Sequence, residues 1–97
     1  MTINRKLLMA KARGFTLSIE KMNEKTQMSN APGEYGDDYN RLLAETKKLL
    51  PELEPLLPPV VSKYGSGSGS VFTHAAFSVI HTYCEQIYQL VSESSDP

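Results

Sequence analysis

Apolar positions recur at helical intervals in three stretches of the chain. In the first, Leu8, Ala12, Phe15, Ile19 and Met22 alternate between four- and three-residue spacings, which aligns them on one side of an α-helix. The pattern predicts a helix over 3–29. Leu7, Ala10 and Leu17 fall off this stripe and form a weaker second face. Gly14 stands in the middle at a cost of about 1 kcal/mol relative to Ala, so it either admits a close neighbour or marks a kink. Asn30-Ala31-Pro32-Gly33 then ends the segment, because Pro and Gly together break helices.

Tyr39, Leu42, Leu43, Thr46, Leu49 and Leu50 carry the second helical pattern, predicted over 37–50. Asp37 suits the N-cap, and Asp38 the first turn. Lys47 and Lys48 suit the last turn, each charge matched to the helix dipole. Pro51 disfavours helical geometry at Leu50 and can open a short helix over 51–57, with Leu53, Leu56 and Leu57 apolar and Pro58-Pro59 closing it. Val60 and Val61 read as extended. The third long pattern, over 70–92, has Phe72, Ala76, Val79, Tyr83, Ile87 and Leu90 as its main stripe. Phe77, Ile80, Cys84, Tyr88 and Val91 widen it to about half the circumference. So broad an arc needs two neighbours: two helices of the same chain, or a second subunit. The expected fold is therefore all-α, one helical domain over 1–97. It is a small up-and-down bundle of three main helices plus a short Pro-bounded fourth, with a flexible Gly/Ser loop at 62–70 and a frayed tail at 93–97.

Composition adds limits. Net charge is −1, so no global field favours nucleic acid or a membrane. The charge is uneven, however. Residues 1–30 hold six cations (Arg5, Lys6, Lys11, Arg13, Lys21, Lys25) against Glu20 and Glu24, a balance of +4; residues 31–97 hold four against nine carboxylates, a balance of −5. Such a split fits complementary packing within the chain or between copies. A single cysteine, Cys84, allows no intrachain disulfide, and a reducing, cytoplasmic setting is expected. No apolar run approaches the ~20 residues that span a bilayer. Lys11 and Arg13 interrupt the N-terminal apolar stretch too early for a secretory leader.

The Gly-Ser run at 65–70 is the first place to look for chemistry, because glycine-rich loops before helices cradle phosphates. The residues around it do not fit. A P-loop ends in Lys-Ser/Thr, where Val71-Phe72 stands. A dinucleotide fingerprint needs a third glycine at Ser70, and the Gly/Ser alternation is out of phase with a nucleophile elbow. The run reads as a tether with the composition of a linker. His74 and His81 are seven apart on a predicted helix, about 10 Å along its axis, too far to share a metal. His81 and Glu85 supply two ligands, short of a complete set. Both histidines read as boundary residues, and Cys84 as a small core residue. Tyr39, Tyr83 and Tyr88 hold core spacing.

With no catalytic constellation, the expected function is a non-enzymatic helical protein-interaction module, without cofactor or metal, that self-associates as a homodimer. Phe77, Ile80, Cys84 and Tyr88 on the third long helix and Leu7 and Leu17 on the first are the expected contact residues. The alternative is a nucleic-acid-binding regulator using the basic N-terminal helix, although Glu20 and Glu24 mix the sign of that face. A metal protein or enzyme built on His81 and Glu85 is a third class.

Overall fold

The computed structural model describes residues 4–65, 67 and 69–94. Along the chain come α1 (Arg5–Glu20), a short α2 (Glu24–Gln27), β1 (Asn30–Pro32), α3 (Gly33–Leu49), a 3-10 helix (Pro51–Leu56), β2 (Lys63–Gly65), β3 (Val71–Ala76) and α4 (Phe77–Glu93). The all-α expectation is wrong: three main helices pack with a three-stranded antiparallel sheet of order β1-β3-β2. The helical-bundle description falls with it.

The first predicted helix splits. Asn4 starts α1 by accepting from the Leu7 N–H at 2.9 Å. Asn23 starts α2 in the same way, accepting from Thr26 at 2.8 Å, so a second N-cap interrupts the continuous pattern. The Gln27 amide donates back to the Ile19 and Met22 carbonyls at 3.1 and 2.9 Å. It thereby adds a second donor at Ile19, whose carbonyl already accepts from the Met22 N–H at 3.0 Å, and ties α2 to the end of α1.

Pro32-Gly33, expected only as a breaker, is the start of α3. Pro32 occupies the N-cap with extended geometry (φ −59°, ψ 155°), and Glu34 lies in the first turn, where a carboxylate suits the dipole. Asp37, expected as the cap, is inside the helix and pairs with Lys63 at 2.9 Å. The early start brings Gly33 and Gly36 beneath β3. A Cβ on Gly33 would lie 2.9 Å from Val71 Cγ1 and 3.2 Å from the Val71 carbonyl oxygen, and one on Gly36 would collide with Thr73 Cγ2. The helix lies against the strand because these two positions have no side chain.

The Gly-Ser run lies between two paired strands and not between two helices. β2 pairs with β3 through Lys63↔Thr73, Tyr64↔Phe72 and Gly65↔Val71. Ser66 and Ser68 lie outside the described residues. Gly69, with φ +87°, adopts a left-handed conformation that favours glycine. The third long helix therefore begins at Phe77 and not near residue 70. β1 joins the other edge of β3 through Asn30↔Ala76 and Pro32↔Phe72, with a bulge between. At the bulge, Thr73 Oγ1 donates to the Ala31 or Ala75 carbonyl, at 3.0 and 2.8 Å, and accepts from the Ala75 N–H at 3.2 Å. These bonds satisfy a buried hydroxyl. Asn40 of α3 fixes the extended Val61, accepting from its N–H and donating to its carbonyl, both at 2.9 Å.

α1 and α4 run antiparallel. Arg5 meets the end of α4, donating to the Val91 and Ser94 carbonyls at 3.0 and 2.6 Å, while Glu20 meets its start at His81. The expected frayed tail is thus ordered through Ser94; residues 95–97 lie outside the described residues. Leu8, Ala12 and Ile19 of α1, Tyr39, Leu42 and Leu43 of α3, and Ile80, Cys84, Ile87 and Val91 of α4 form the buried core. Most of the broad apolar arc of α4 is covered from within, by α1 on one side and by α3 and β3 on the other, with Val79 left exposed. Among the described residues no helix is long and apolar enough to cross a membrane.

Candidate interaction surface

One side of the sheet is closed by α3, against which Val71 and Thr73 pack. The opposite side carries Tyr64, Phe72 and His74, residues unusual for a solvated sheet face, where polar and charged side chains are the rule. Tyr64 and Phe72 sit opposite each other across β2 and β3, ring centroids 6.4 Å apart. Two residues along β3 from Phe72, on the same side of the sheet, the exposed His74 ring lies 4.6 Å from Tyr64. Asn30 donates to the Tyr64 hydroxyl at 3.2 Å, which ties β1 to the same face. Pro32 and Ala76 complete it through their pairing with Phe72 and Asn30. No Lys, Arg, Asp or Glu belongs to this set.

The face continues past His74 into a shallow hollow of about 150 Å³ lined by Val60, Ser62, Val79 and Tyr83. Val60 is 61% exposed, Val79 37% and Tyr64 37%. Aromatic rings, valines and a polar Asn edge therefore form one surface, with three large apolar side chains in water. A continuous apolar surface of this kind marks an interaction site more often than scattered exposed residues do. The nearest cation along β2, Lys63, is held by Asp37 on the other side of the sheet.

The six residues expected to make contacts are dispersed. Ile80 and Cys84 are fully buried and Phe77 nearly so, its ring meeting Tyr35 edge-on at 4.9 Å. These three belong to the interior of the folded chain and offer no surface to a partner. Tyr88 is half-buried beneath the Arg13 guanidinium, 5.9 Å from its ring centroid. Leu7 is half-buried, and Leu17 is 44% exposed, remote in sequence from the sheet face. The residues that sequence reasoning missed are Tyr64, Phe72 and His74. Their signal was present as Val-Phe-Thr-His after a glycine-rich turn, a strand-like run.

The other candidates resolve into structure. His74 is in a strand, so it shares no helix face with His81. His81 is held between two carboxylates, Nε2 at 2.8 Å from Glu20 and Nδ1 at 3.1 Å from Glu85. The two oxygens lie at opposite nitrogens and do not converge. Among the described residues no cluster of three or more His, Cys, Asp or Glu side chains could hold a metal ion. Burial pushes the Cys84 thiol up to about 12, which leaves it protonated and a poor nucleophile. Of the six N-terminal cations, Arg5 caps α4, Lys11 pairs with Glu45 at 2.9 Å, and Arg13 covers Tyr88. Half the basic charge of the first segment is thus engaged inside the molecule. Compared with protein-family models, curated proteins and solved structures, the chain matches none.

Proposed function

We propose that this protein is a small non-enzymatic interaction module that self-associates through the outer face of its sheet, in a reducing, cytoplasmic setting. The observation that supports this reading is the uncharged aromatic face of Tyr64, Phe72 and His74, continuous with the exposed Val60 and Val79. Burying apolar surface stabilises association by roughly 25 cal/mol per Å² before the costs of ordering. A face without charges loses little by desolvation. Two copies can meet there symmetrically, each presenting the same patch. The nucleic-acid reading has less support. Aromatic rings can stack bases, but phosphates need free cations alongside, and this face has none.

The test is sedimentation velocity on the wild type and on a Tyr64→Glu/Phe72→Glu variant, with Leu17→Glu as the off-face control. The wild type and the control should form dimers in the micromolar range, and the double variant should be a monomer with unchanged far-UV circular dichroism. A wild type that stays monomeric at high micromolar concentration refutes self-association. Retention of a labelled single-stranded oligonucleotide at low salt would favour the nucleic-acid alternative instead.

A further inference from the structure

His74 stands in the middle of the apolar sheet face. On one side its ring lies 4.6 Å from Tyr64, and on the other it borders the hollow lined by Val60, Val79 and Tyr83. The side chain is exposed, while the backbone N–H is fixed to the Ser62 carbonyl at 3.0 Å. We propose, resting on self-association through this face, that two copies separate in mild acid because each His74 takes up a proton.

The surroundings of the ring decide the sign. Among the described residues no carboxylate pairs with His74. The titratable groups that face it are Tyr64 from β2 and Tyr83 from α4, and phenols carry no charge in acid. β1 adds only the uncharged Asn30, through the Tyr64 hydroxyl. The segment before β2 adds Val60 and Ser62. Lys63, the neighbouring cation on β2, is held by Asp37 on the other side of the sheet. A neutral imidazole loses little when a second copy covers it. An imidazolium would be covered without a counter-charge, which is costly. A symmetric contact sets the same patch against itself, so the second copy brings no carboxylate either and adds an imidazolium of its own.

His81 has the opposite setting. Its Nε2 lies 2.8 Å from Glu20 and its Nδ1 3.1 Å from Glu85. Protonation there gives both ring nitrogens an N–H, each donating to a carboxylate, so acid strengthens the link between α1 and α4. Histidine changes charge between about pH 5 and 8. One fall in pH should therefore part the copies and leave each subunit folded.

The experiment is sedimentation velocity of the full chain at about pH 7.5 and about pH 5.5, within the histidine range, with far-UV circular dichroism at both. The samples are the wild type, His74→Gln and His81→Gln. Dissociation takes up as many as two protons, and each can weaken association up to about tenfold per pH unit. The wild-type dissociation constant should rise by about 10- to 100-fold on acidification, with helicity unchanged. His74→Gln, neutral throughout, should dimerise equally well at both values, and His81→Gln should keep the wild-type dependence. A wild type that is monomeric at high micromolar concentration even at the higher pH refutes self-association itself, and the proton sensitivity with it. A dimer equally tight at both values overturns the proton sensitivity alone. A dependence that persists in His74→Gln, or that vanishes in His81→Gln, overturns the assignment to His74.

Discussion

The two glycines of opposite surroundings allow a sharp test of how α3 and β3 meet. Consider Gly36→Ala and Gly14→Ala, the same added methyl in two helix interiors. Alanine favours each helix by about 1 kcal/mol. At Gly14 nothing opposes the gain, because the new Cβ meets no atom within 4 Å outside its own helix. At Gly36 the Cβ would collide with Thr73 Cγ2 and lie 3.2 Å from Val61 Cγ2. Thr73 cannot turn aside cheaply, since its hydroxyl bonds to Ala31 and Ala75 in the interior. Val61 is likewise held by Asn40. The helix must therefore move from the sheet, an overpacking strain of about 3 kcal/mol, the upper part of the usual range. Set against the helical gain of about 1 kcal/mol, the net loss is roughly 2 kcal/mol. In a chain of 97 residues this lowers Tm by about 8–16 °C, whereas Gly14→Ala raises it by about 4–8 °C. Urea denaturation followed by circular dichroism reads both signs directly. If the two variants shift the midpoint in the same direction by the same amount, α3 does not lie against β3 as described.

Two further outcomes follow from buried groups. Stability should fall as the solution becomes alkaline, because burial holds the Cys84 thiol up near 12 and raises the Tyr35 and Tyr39 phenols as well. The unfolded chain then sheds protons from about pH 9 that the folded chain keeps, so Tm should decline as the pH rises above that point. Cys84→Ala should shallow the first part of the decline, and an unchanged slope would discount the thiol. Arg5→Ala should cost about 1–2 kcal/mol by uncapping α4, with faster amide exchange in the last turn near Val91; uniform loss of protection along α4 would contradict a capping role.

What the sequence made legible was the interior. The stripes of α1, α3 and α4 were found because a buried helix side must be apolar at fixed intervals, and Leu8, Ala12, Ile19, Leu42, Leu43 and Ile87 are all in the core. The strand β3 was hidden by an arithmetical coincidence. Phe72 and Ala76 are four apart, and four residues return to the same side in a helix and in a strand alike. No polar cap or breaker separates β3 from α4 either: Ala76 is the N-cap and makes no side-chain hydrogen bond. The helical pattern therefore extended backwards across the join without contradiction. Spacing alone could not discriminate, whereas the β-branched and aromatic run after a glycine-rich turn could. Pro32-Gly33 misled in the opposite sense, since residues that stop one helix can also start the next.

These errors bear on function, because they relocate the surplus apolar surface. The sequence places it on the third long helix, at Phe77, Ile80, Cys84 and Tyr88, with Leu7 and Leu17 on the first, and infers self-association from an arc too wide for one neighbour. The fold buries Phe77, Ile80, Cys84, Ile87 and Val91 of that arc against α1, α3 and β3, so its width alone no longer supports a partner. What it leaves exposed is Tyr64, beside Phe72 and His74 where β2 and β3 pair, with Val60 and the one outlying member of the arc, Val79, next to them. Changes in the two places should then have different consequences. Cutting back Ile80 opens a cavity at a cost of about 2–5 kcal/mol and acts on folding itself, whereas charging Tyr64 and Phe72 acts on association while the helices persist. A dimer lost only in proportion to lost helicity would leave the sheet face with no role of its own.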